Sequence, residues 1–265
     1  MIPIYAILVD YNKPLETSPS YQALTRQKDI VTIVCDNSTK PTIDQKKVQN
    51  DGNVYLSMHG NRGLSKAYNR ALDFIQEENP VMEGFVMLFD DDTTIPDDYF
   101  SCVRKAIREN NADIYLPLIT DGHPEQGYLS PSLMQDVYLH RAKEPWKLSN
   151  EEICGINSGM VIRLSLFSDY RYNEDLFLDH VDHDFIRSMR KRNARIQILD
   201  TLLQQTFSAY ETDGKKALKR FHVFKRDIHE FYKGSFKERL YCEYVILRHK
   251  ASIFRHTKDW NIWLQ

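Results

Sequence analysis

Two short acidic stretches hold most of the chemistry this sequence could perform. Asp90-Asp91-Asp92 follows the apolar run Phe85-Val86-Met87-Leu88-Phe89, and Asp179-His180-Val181-Asp182-His183-Asp184 precedes Phe185 and a basic segment running to Arg192. Three adjacent carboxylates repel one another, so such a turn is costly unless a cation or solvent relieves it. A divalent ion held by one or two of them keeps coordination positions free for phosphate oxygens. Such an ion would neutralise charge growing on a departing diphosphate. The plainer reading is a solvated acidic turn opening the helix after Thr94 and Pro96, favoured by the helix dipole. The second stretch admits three readings. A carboxylate there could act as general base, His180, Asp182, His183 and Asp184 could ligate a metal, or the acids could simply start a helix.

Two other sets offer cations or close backbone approach. Asn61-Arg62-Gly63-Leu64-Ser65-Lys66-Ala67-Tyr68-Asn69 joins a loop to a helix. Glycine-bearing helix N-termini receive anions, and Lys66 would reach a phosphate placed there. Lys219, Arg220, Lys225 and Arg226 could clamp a diphosphate, or equally form a solvated helical face.

These residues need elements to position them. Ile4 to Val9 is a continuous apolar run ending at Asp10-Tyr11-Asn12, as an interior parallel strand requires. A helical stretch over Ser20 to Arg26 leads to a strand at Ile30 to Cys35, ending in Asp36-Asn37-Ser38. Val54 to Met58 reads as a third strand. Leu64, Ala67, Tyr68, Ala71, Leu72 and Ile75 then recur on one helical face. Phe85 to Phe89 is the fourth strand, and Pro96 opens a helix reaching Arg108. Such alternation predicts an α/β fold with a doubly wound, mostly parallel sheet. Ligands of such sheets sit at the carboxyl ends of the strands, where three polar clusters fall together. Thr120 to Asn150 is polar and rich in Gly and Pro, and reads as loops or a variable subdomain over the site. Val181 to Arg190 reads as a helix and Ile196 to Leu199 as a last strand.

Composition narrows the class. At 265 residues, 42% hydrophobic and 27% charged, the chain is ordinary globular material with room for one continuous core. The net charge of −2 taken alone argues neither for nor against nucleic acid, and no nucleic-acid partner is expected. It conceals an asymmetry, because from Gly214 onward there are 13 Lys/Arg against 5 Asp/Glu, leaving the rest near −10. This basic, aromatic stretch suits an anionic surface, lipid or phosphate, or else a set of amphipathic helices. Cys35, Cys102, Cys154 and Cys242 form no C-x-x-C pair and read as reduced thiols. The opening MIPIYAILVDYN lacks a secretory signal, and no apolar run approaches a bilayer span. The expectation is a cytoplasmic protein, with peripheral contact at the inner face of the plasma membrane and an oligomer both left open.

The order of the motifs resembles family 2 glycosyltransferases of the GT-A fold, in particular the rhamnosyltransferase-like and galactofuranosyltransferase-like branch. The resemblance covers Ile4 to Tyr232. It implies a GT-A domain over residues 1–213, with a nucleotide-binding half (1–117) and an acceptor-binding half (118–213). Residues 214–265 then form a basic, aromatic, helical C-terminal extension. It further implies that Tyr11 and Asp36 hold the base, and that Gly63 and Lys66 lie near the donor. Phe89-Asp90-Asp91-Asp92-Thr93 is similar to the Asp-x-Asp motif, implying ribose contacts and a Mg²⁺ or Mn²⁺ ion on Asp90 and Asp92. Ser158, in Asn157-Ser158-Gly159-Met160, resembles the strand lining the sugar pocket. Asp182 falls on the catalytic base of an inverting transfer, and Arg220 on the Arg-and-aromatic segment. Where many relatives carry a histidine after the last strand, Leu203-Gln204-Gln205-Thr206-Phe207 offers glutamines, so His222 is the candidate replacement ligand.

The expected donor is dTDP-rhamnose, with UDP-galactofuranose or another UDP-sugar as alternative. The acceptor is expected to be a glycan or lipid-linked oligosaccharide of a bacterial surface polysaccharide such as capsule or O-antigen. Two rival classes stay open: a metal-dependent phosphohydrolase using the His180–Asp184 cluster, and a catalytically inert sugar-binding module.

Overall fold

The computed structural model describes residues 2–205 and 214–265. Its first half winds as β1 (Ile4–Asp10), α1 (Pro19–Leu24), β2 (Val31–Asp36), α2 (Gln45–Asn50), β3 (Val54–Ser57), α3 (Leu64–Glu78), β4 (Phe85–Asp90), β5 (Thr93–Thr94), α4 (Tyr99–Glu109) and β6 (Ile114–Thr120). The second half continues through β7 (Tyr128–Gln135), β8 (Tyr138–Ala142), β9 (Ile153–Cys154), β10 (Met160–Arg163), α5 (Val181–Lys191) and β11 (Ile196–Gln205). Two helices, α6 (Gly214–Phe231) and α7 (Phe236–Thr257), follow.

The main sheet has the order β3-β2-β1-β4-β10-β6-β11-β5. β1 pairs in parallel with β2 and β4, β2 with β3, and β6 with β11, whereas β10 runs antiparallel between β4 and β6. Buried on both faces, β1 and β4 are almost uniformly apolar, as interior strands must be. One side of the sheet packs on α1 and α4 through Leu24, Phe100, Val103 and Ile107. The other carries α3 and α5 through Ala67, Leu72, Phe185 and Met189.

Local chemistry sets several boundaries. Ser18 caps α1 by accepting from the Tyr21 amide at 3.1 Å, with Pro19 at the first helical position. Ser235 and Glu238 form a reciprocal capping box that starts α7. The helix expected from Pro96 starts at Tyr99, because Pro96 to Asp98 form the turn whose carbonyls receive its first amides.

Of the two expectations for Thr120 to Asn150, loops or a subdomain over the site, the structure has the second. β7 and β8 form an antiparallel hairpin, with β9 on the other side of β7. The last strand is also longer than its apolar run. A bulge between Leu199 and Leu202 resets the alternation, and pairing with β6 resumes to Gln204. The final helices are not an appendage, because Phe221, Ile228, Phe231, Cys242 and Ile246 join the same apolar cluster as α3 and α5. No described helix is long and apolar enough to cross a membrane.

Gly159, between Ser158 and β10, has φ +73° and no room for a side chain. A Cβ there would lie 2.5 Å from Leu203 Cδ2 and 3.0 Å from Pro117 Cγ. Gly159→Ala is therefore expected to cost about 2 kcal/mol, from a disfavoured φ together with overpacking. Thermal denaturation should show a midpoint several degrees lower; an unchanged midpoint would contradict this packing.

Candidate active site

The acidic turn is built from the main chain outward. α1 presents its serines to the carbonyls that follow β4. Ser20 Oγ donates to Asp90 O at 2.6 Å and Thr93 O at 3.0 Å, and Ser18 Oγ donates to Asp91 O at 2.7 Å. The backbone is thus fixed before any carboxylate is placed. Asp90 Oδ2 accepts from Ser158 Oγ at 2.7 Å and from Gln205 Nε2 at 2.8 Å, and Thr93 Oγ1 lies 2.9 Å from Ser158 Oγ. Asp91 turns to Lys13, whose ammonium is 2.9 Å from Oδ1.

These arrangements separate the three acids electrostatically. Burial first, with Asp92 and Asp91 adding to it and the bonds from Ser158 and Gln205 opposing it, raises the Asp90 carboxyl to about 6. Asp92 is also raised, first by burial and then by Asp91. Its Oδ1 is buried without a hydrogen-bond partner among the described residues, as is Gln205 Oε1. Two carboxylates short of compensation and an orphaned amide oxygen suit a hard, oxygen-seeking divalent cation. Among the described residues, the carboxylates of the three aspartates do not draw together into a closed three-ligand cluster within 4.8 Å. An open set of this kind leaves room for phosphate oxygens.

A cavity of about 600 Å³ lies against this turn. Tyr11, Asn37 and Gly63 line it from the ends of the first strands, and Asp90, Asp91, Asp92 and Gln205 from the sheet edge. Asp182 and His183 line it from α5 and Arg220 from α6, while Ser132, Leu139, His140 and Arg141 reach it from the β7–β8 hairpin. Arg141 is held by Asp121 at 2.7 Å.

The nucleotide-side loops interlock. The amide of Asn12, at φ 56°, donates to Ser38 Oγ at 2.9 Å, and its side-chain oxygen accepts from the Thr39 amide at 2.9 Å. Asn37 Oδ1 accepts from the Arg62 amide at 2.8 Å, tying the end of β2 to the loop before α3. At Gly63, φ is +91° and a Cβ would sit 2.6 Å from the Phe177 ring, so only glycine lets the loop pass.

Asp182 stands in the first turn of α5, where its Oδ1 accepts from the His183 amide at 2.8 Å. The loop before it is fixed from α6. Buried Asp227 accepts from the amides of Leu178 and Asp179 at 2.7 and 2.9 Å, and Arg220 grips both oxygens of Asp179. His180 lies 4.7 Å from the Phe231 ring in a stacked pose. Burial, then His183, Arg187 and Arg220, push its pKa well below 6.5 and keep it neutral. Asp184 pairs with Arg187 at 2.8 Å. Asp179 and Asp184 are thus taken by arginines, while His180 and His183 meet at 3.1 Å between their Nδ1 atoms and His183 Nδ1 lies 3.4 Å from Asp182 Oδ1. Among the described residues no three of these side chains bring ligand atoms within 4.8 Å of one another, as the metal centre of a phosphohydrolase reading requires.

The structure thus brings Tyr11, Gly63, Asp90, Asp91, Asp92, Asp182 and Arg220 to one cavity, with Ser158 behind Asp90. Three expected residues stand elsewhere. Asp36 lies under the β2–β3 edge, accepting from Tyr55 OH at 2.7 Å and the Ser38 amide at 3.0 Å. Lys66 lines a separate cavity of about 660 Å³ with Gln45, Tyr55 and Arg70. His222, the expected replacement ligand, is not at the carboxylates. Its ring nitrogens lie 2.9 Å from Leu218 O and 2.7 Å from Gln265 Oε1, on the outer side of α6. Gln205 occupies the position beside Asp90 instead. Thr206 and Phe207 lie outside the described residues. Asp227 and the hairpin residues are not singled out by the sequence, and Gln205 is named there only as one of two glutamines. The glutamine in place of a histidine was the one available signal for Gln205.

A sheet of this order with an acid turn at its carboxyl edge and a carboxylate-bearing helix lining the same cavity defines the GT-A class of transferase architecture. A family model described as Glycosyl transferase family 2 matches residues 6–194, and the chain belongs to that family. A curated relative, the dTDP-rhamnosyl transferase RfbF of Shigella flexneri, is 23% identical over 188 residues. That match covers 69% of this chain and 61% of the relative, so the chain spans under two thirds of that protein's length. Among solved structures, residues 1–349 of S. aureus TarS in complex with UDP match with a TM-score of 0.53 and 19% identity, covering 100% of this chain and 75% of that one. Glucosyl-3-phosphoglycerate synthase from Mycobacterium tuberculosis, in complex with Mn²⁺, UDP and glucosyl-3-phosphoglycerate, matches at 0.55 and 12%, covering 85% and 78%. Both likenesses concern the fold.

One group behind the site titrates in an accessible range. Asp10, at the end of β1, is fully buried, and one of its oxygens accepts no hydrogen bond among the described residues. Burial, then Asp91 and Asp36, raise its pKa from 3.8 to about 7, with Lys13 opposing. A folded pKa above the unfolded one means its contribution is fully favourable below 3.8 and is lost as pH rises through 7. Asp10→Asn is expected to raise stability at pH 8 by about 1–3 kcal/mol, with the gain vanishing near pH 4. Chemical denaturation of both proteins at the two pH values checks this, and a gain independent of pH would refute it.

Proposed function

We propose that the protein transfers a sugar, with inversion, from a nucleoside diphosphate to an acceptor hydroxyl. The observation that carries the reading is one cavity lined both by Asp90, Asp92 and Gln205 and by Asp182. Family membership supports it, and the name of the Shigella relative makes dTDP-rhamnose the first donor to test. UDP-galactofuranose or another UDP-sugar is the second.

Tyr11 and Asn37 line the nucleotide end of the cavity, while Asp36 holds the β2 loop in shape through Tyr55 and Ser38. Asp90 and Asp92 would hold Mg²⁺ or Mn²⁺, which supplies charge neutralisation for the leaving diphosphate. Ser158 and Gln205 orient Asp90 toward that task. Asp182 takes the acceptor proton as the acceptor oxygen bonds to the anomeric carbon and the bond to the diphosphate breaks. The hairpin residues His140 and Arg141 stand where an acceptor would approach. A glycan or lipid-linked oligosaccharide acceptor fits this opening, and the lipid-linked form would have the enzyme work at a membrane surface.

Two variants divide these roles. Asp182→Asn should reduce transfer about 10²–10⁴-fold while leaving metal-dependent nucleotide binding intact. Asp92→Asn should abolish the thermal stabilisation that UDP or dTDP confers with Mn²⁺ or Mg²⁺. Thermal-shift titration and a donor-consumption assay test both. If no nucleoside diphosphate stabilises the wild type with either ion, the reading fails.

A further inference from the structure

The two C-terminal helices sort the aromatic residues of the basic segment into two sets. Phe221, Phe231 and Tyr232 are buried in the common core. Phe236, Leu240, Tyr244 and Leu247, at i, i+4, i+8 and i+11, are instead 53–75% exposed along one face of α7. Cys242 and Ile246 are buried on the inner face. The helix thus carries apolar residues on two sides, and only one is used by the fold. Trp260 and Leu264 extend the exposed set on the short turn after α7, held there by Trp260 packing at 4.6 Å on Phe254. Contiguous exposed apolar surface of this kind marks an interaction site.

We infer that this outer face of α7 docks on an anionic lipid surface. Charge selects that occupant. By helical phase, Arg239 and Lys250 border the apolar stripe on one side, and Lys237, Arg248 and Arg255 on the other. Arg239 and Arg255 have no carboxylate within ion-pair distance among the described residues, Lys237 is paired with Asp136, and the Arg248 guanidinium lies over the Tyr244 ring at 5.8 Å. Glu243, the acid on this border, lies 3.7 Å from His229. The segment from Gly214 carries 13 Lys/Arg against 5 Asp/Glu. An apolar row flanked by cations matches an interface that offers an apolar layer beneath a negatively charged one.

The docking face also meets the reaction cavity. Arg248 lines a neighbouring cavity of about 500 Å³ together with Tyr232, Tyr241 and His249, and that cavity shares Leu139 and Arg220 with the one holding Asp182. Under the proposed transfer activity, an acceptor anchored in the same surface would reach Asp182 along this side. The docking itself does not depend on that activity.

Flotation of the full chain with vesicles of phosphatidylcholine alone, or with about a third phosphatidylglycerol, tests the inference. The wild type should float with the anionic vesicles at low salt and be released at high salt, as screening requires. Leu240→Glu/Leu247→Glu should bind at least tenfold less, and Arg239→Ala/Arg255→Ala should bind less with a shallower salt dependence. Both variants should keep the wild-type melting temperature and nucleotide binding, because none of these side chains is buried. Asp182→Asn should float like the wild type, which separates failure of docking from failure of the transfer reading. Equal binding to neutral vesicles, no binding to anionic ones, or unchanged binding by the leucine variant would overturn the inference. A concentration-dependent dimer abolished by Leu240→Glu/Leu247→Glu, without vesicle binding, would assign the face to a second copy instead.

Discussion

Three carboxylates in consecutive positions at the end of an interior strand cannot share one environment, and much of the molecule is arranged around that difficulty. Each is given a different neighbour. Asp91 is turned out to Lys13, Asp90 is tethered by Ser158 and Gln205, and Asp92 keeps a buried oxygen without a partner. The partners come from distant parts of the chain: the turn after β1, the strand entry before β10 and the end of β11. The acidic turn therefore requires the β1–β4–β10 register, and the register in turn fixes the acids. Gly159 shows how tightly this is set, since its amide donates to Leu88 O at 2.7 Å while its missing side chain admits Leu203.

The second constraint is at α5. Asp182 lies on a helix whose entry loop is held from two sides, by α3 through Ser65 Oγ donating to Leu176 O at 2.7 Å and by α6. Asp227 and Arg220, both from α6, fix Leu178 and Asp179 by charge-assisted bonds. The C-terminal helices thus help to position the acceptor-side carboxylate, consistent with their apolar residues joining the main core. Removing a buried partner such as Asp227 would leave two amides without an acceptor, so α6 is tied to the site as well as to the fold.

The early strands and α3 were legible because continuous apolar runs mark the strands and an undiluted period-3.6 pattern marks the helix. The polar clusters after β1, β2 and β4 could be placed at one sheet edge from topology alone. Legibility failed where local sequence was ambiguous. Pro131 and a half-polar pattern concealed β7, and the bulge after Leu199 broke the alternation that would have extended β11 to Gln205. His222 is the expected substitute for a histidine missing after the last strand, yet it stands two residues beyond Arg220, and two residues on an α-helix turn the side chain by about 200°. Arg220 faces the cavity and His222 faces outward for that reason. Lys66 was misdirected in the same way, since its helix start is near the donor side while its side chain lines the neighbouring cavity.

The same helical geometry explains why the C-terminal segment resisted a single reading from composition. Its aromatics divide by helix and by phase: those of α6 complete the core, and those on the outer face of α7 are left in solvent. A segment with only a structural role would have no reason to keep Phe236, Leu240, Tyr244 and Leu247 apolar, because exposure there gains nothing in the folded monomer and favours self-association. Flanking cations at Arg239 and Arg255 counter that tendency by repelling a second copy of the same positive face. An apolar row with like charge on its borders opposes pairing with itself and favours a surface of opposite sign.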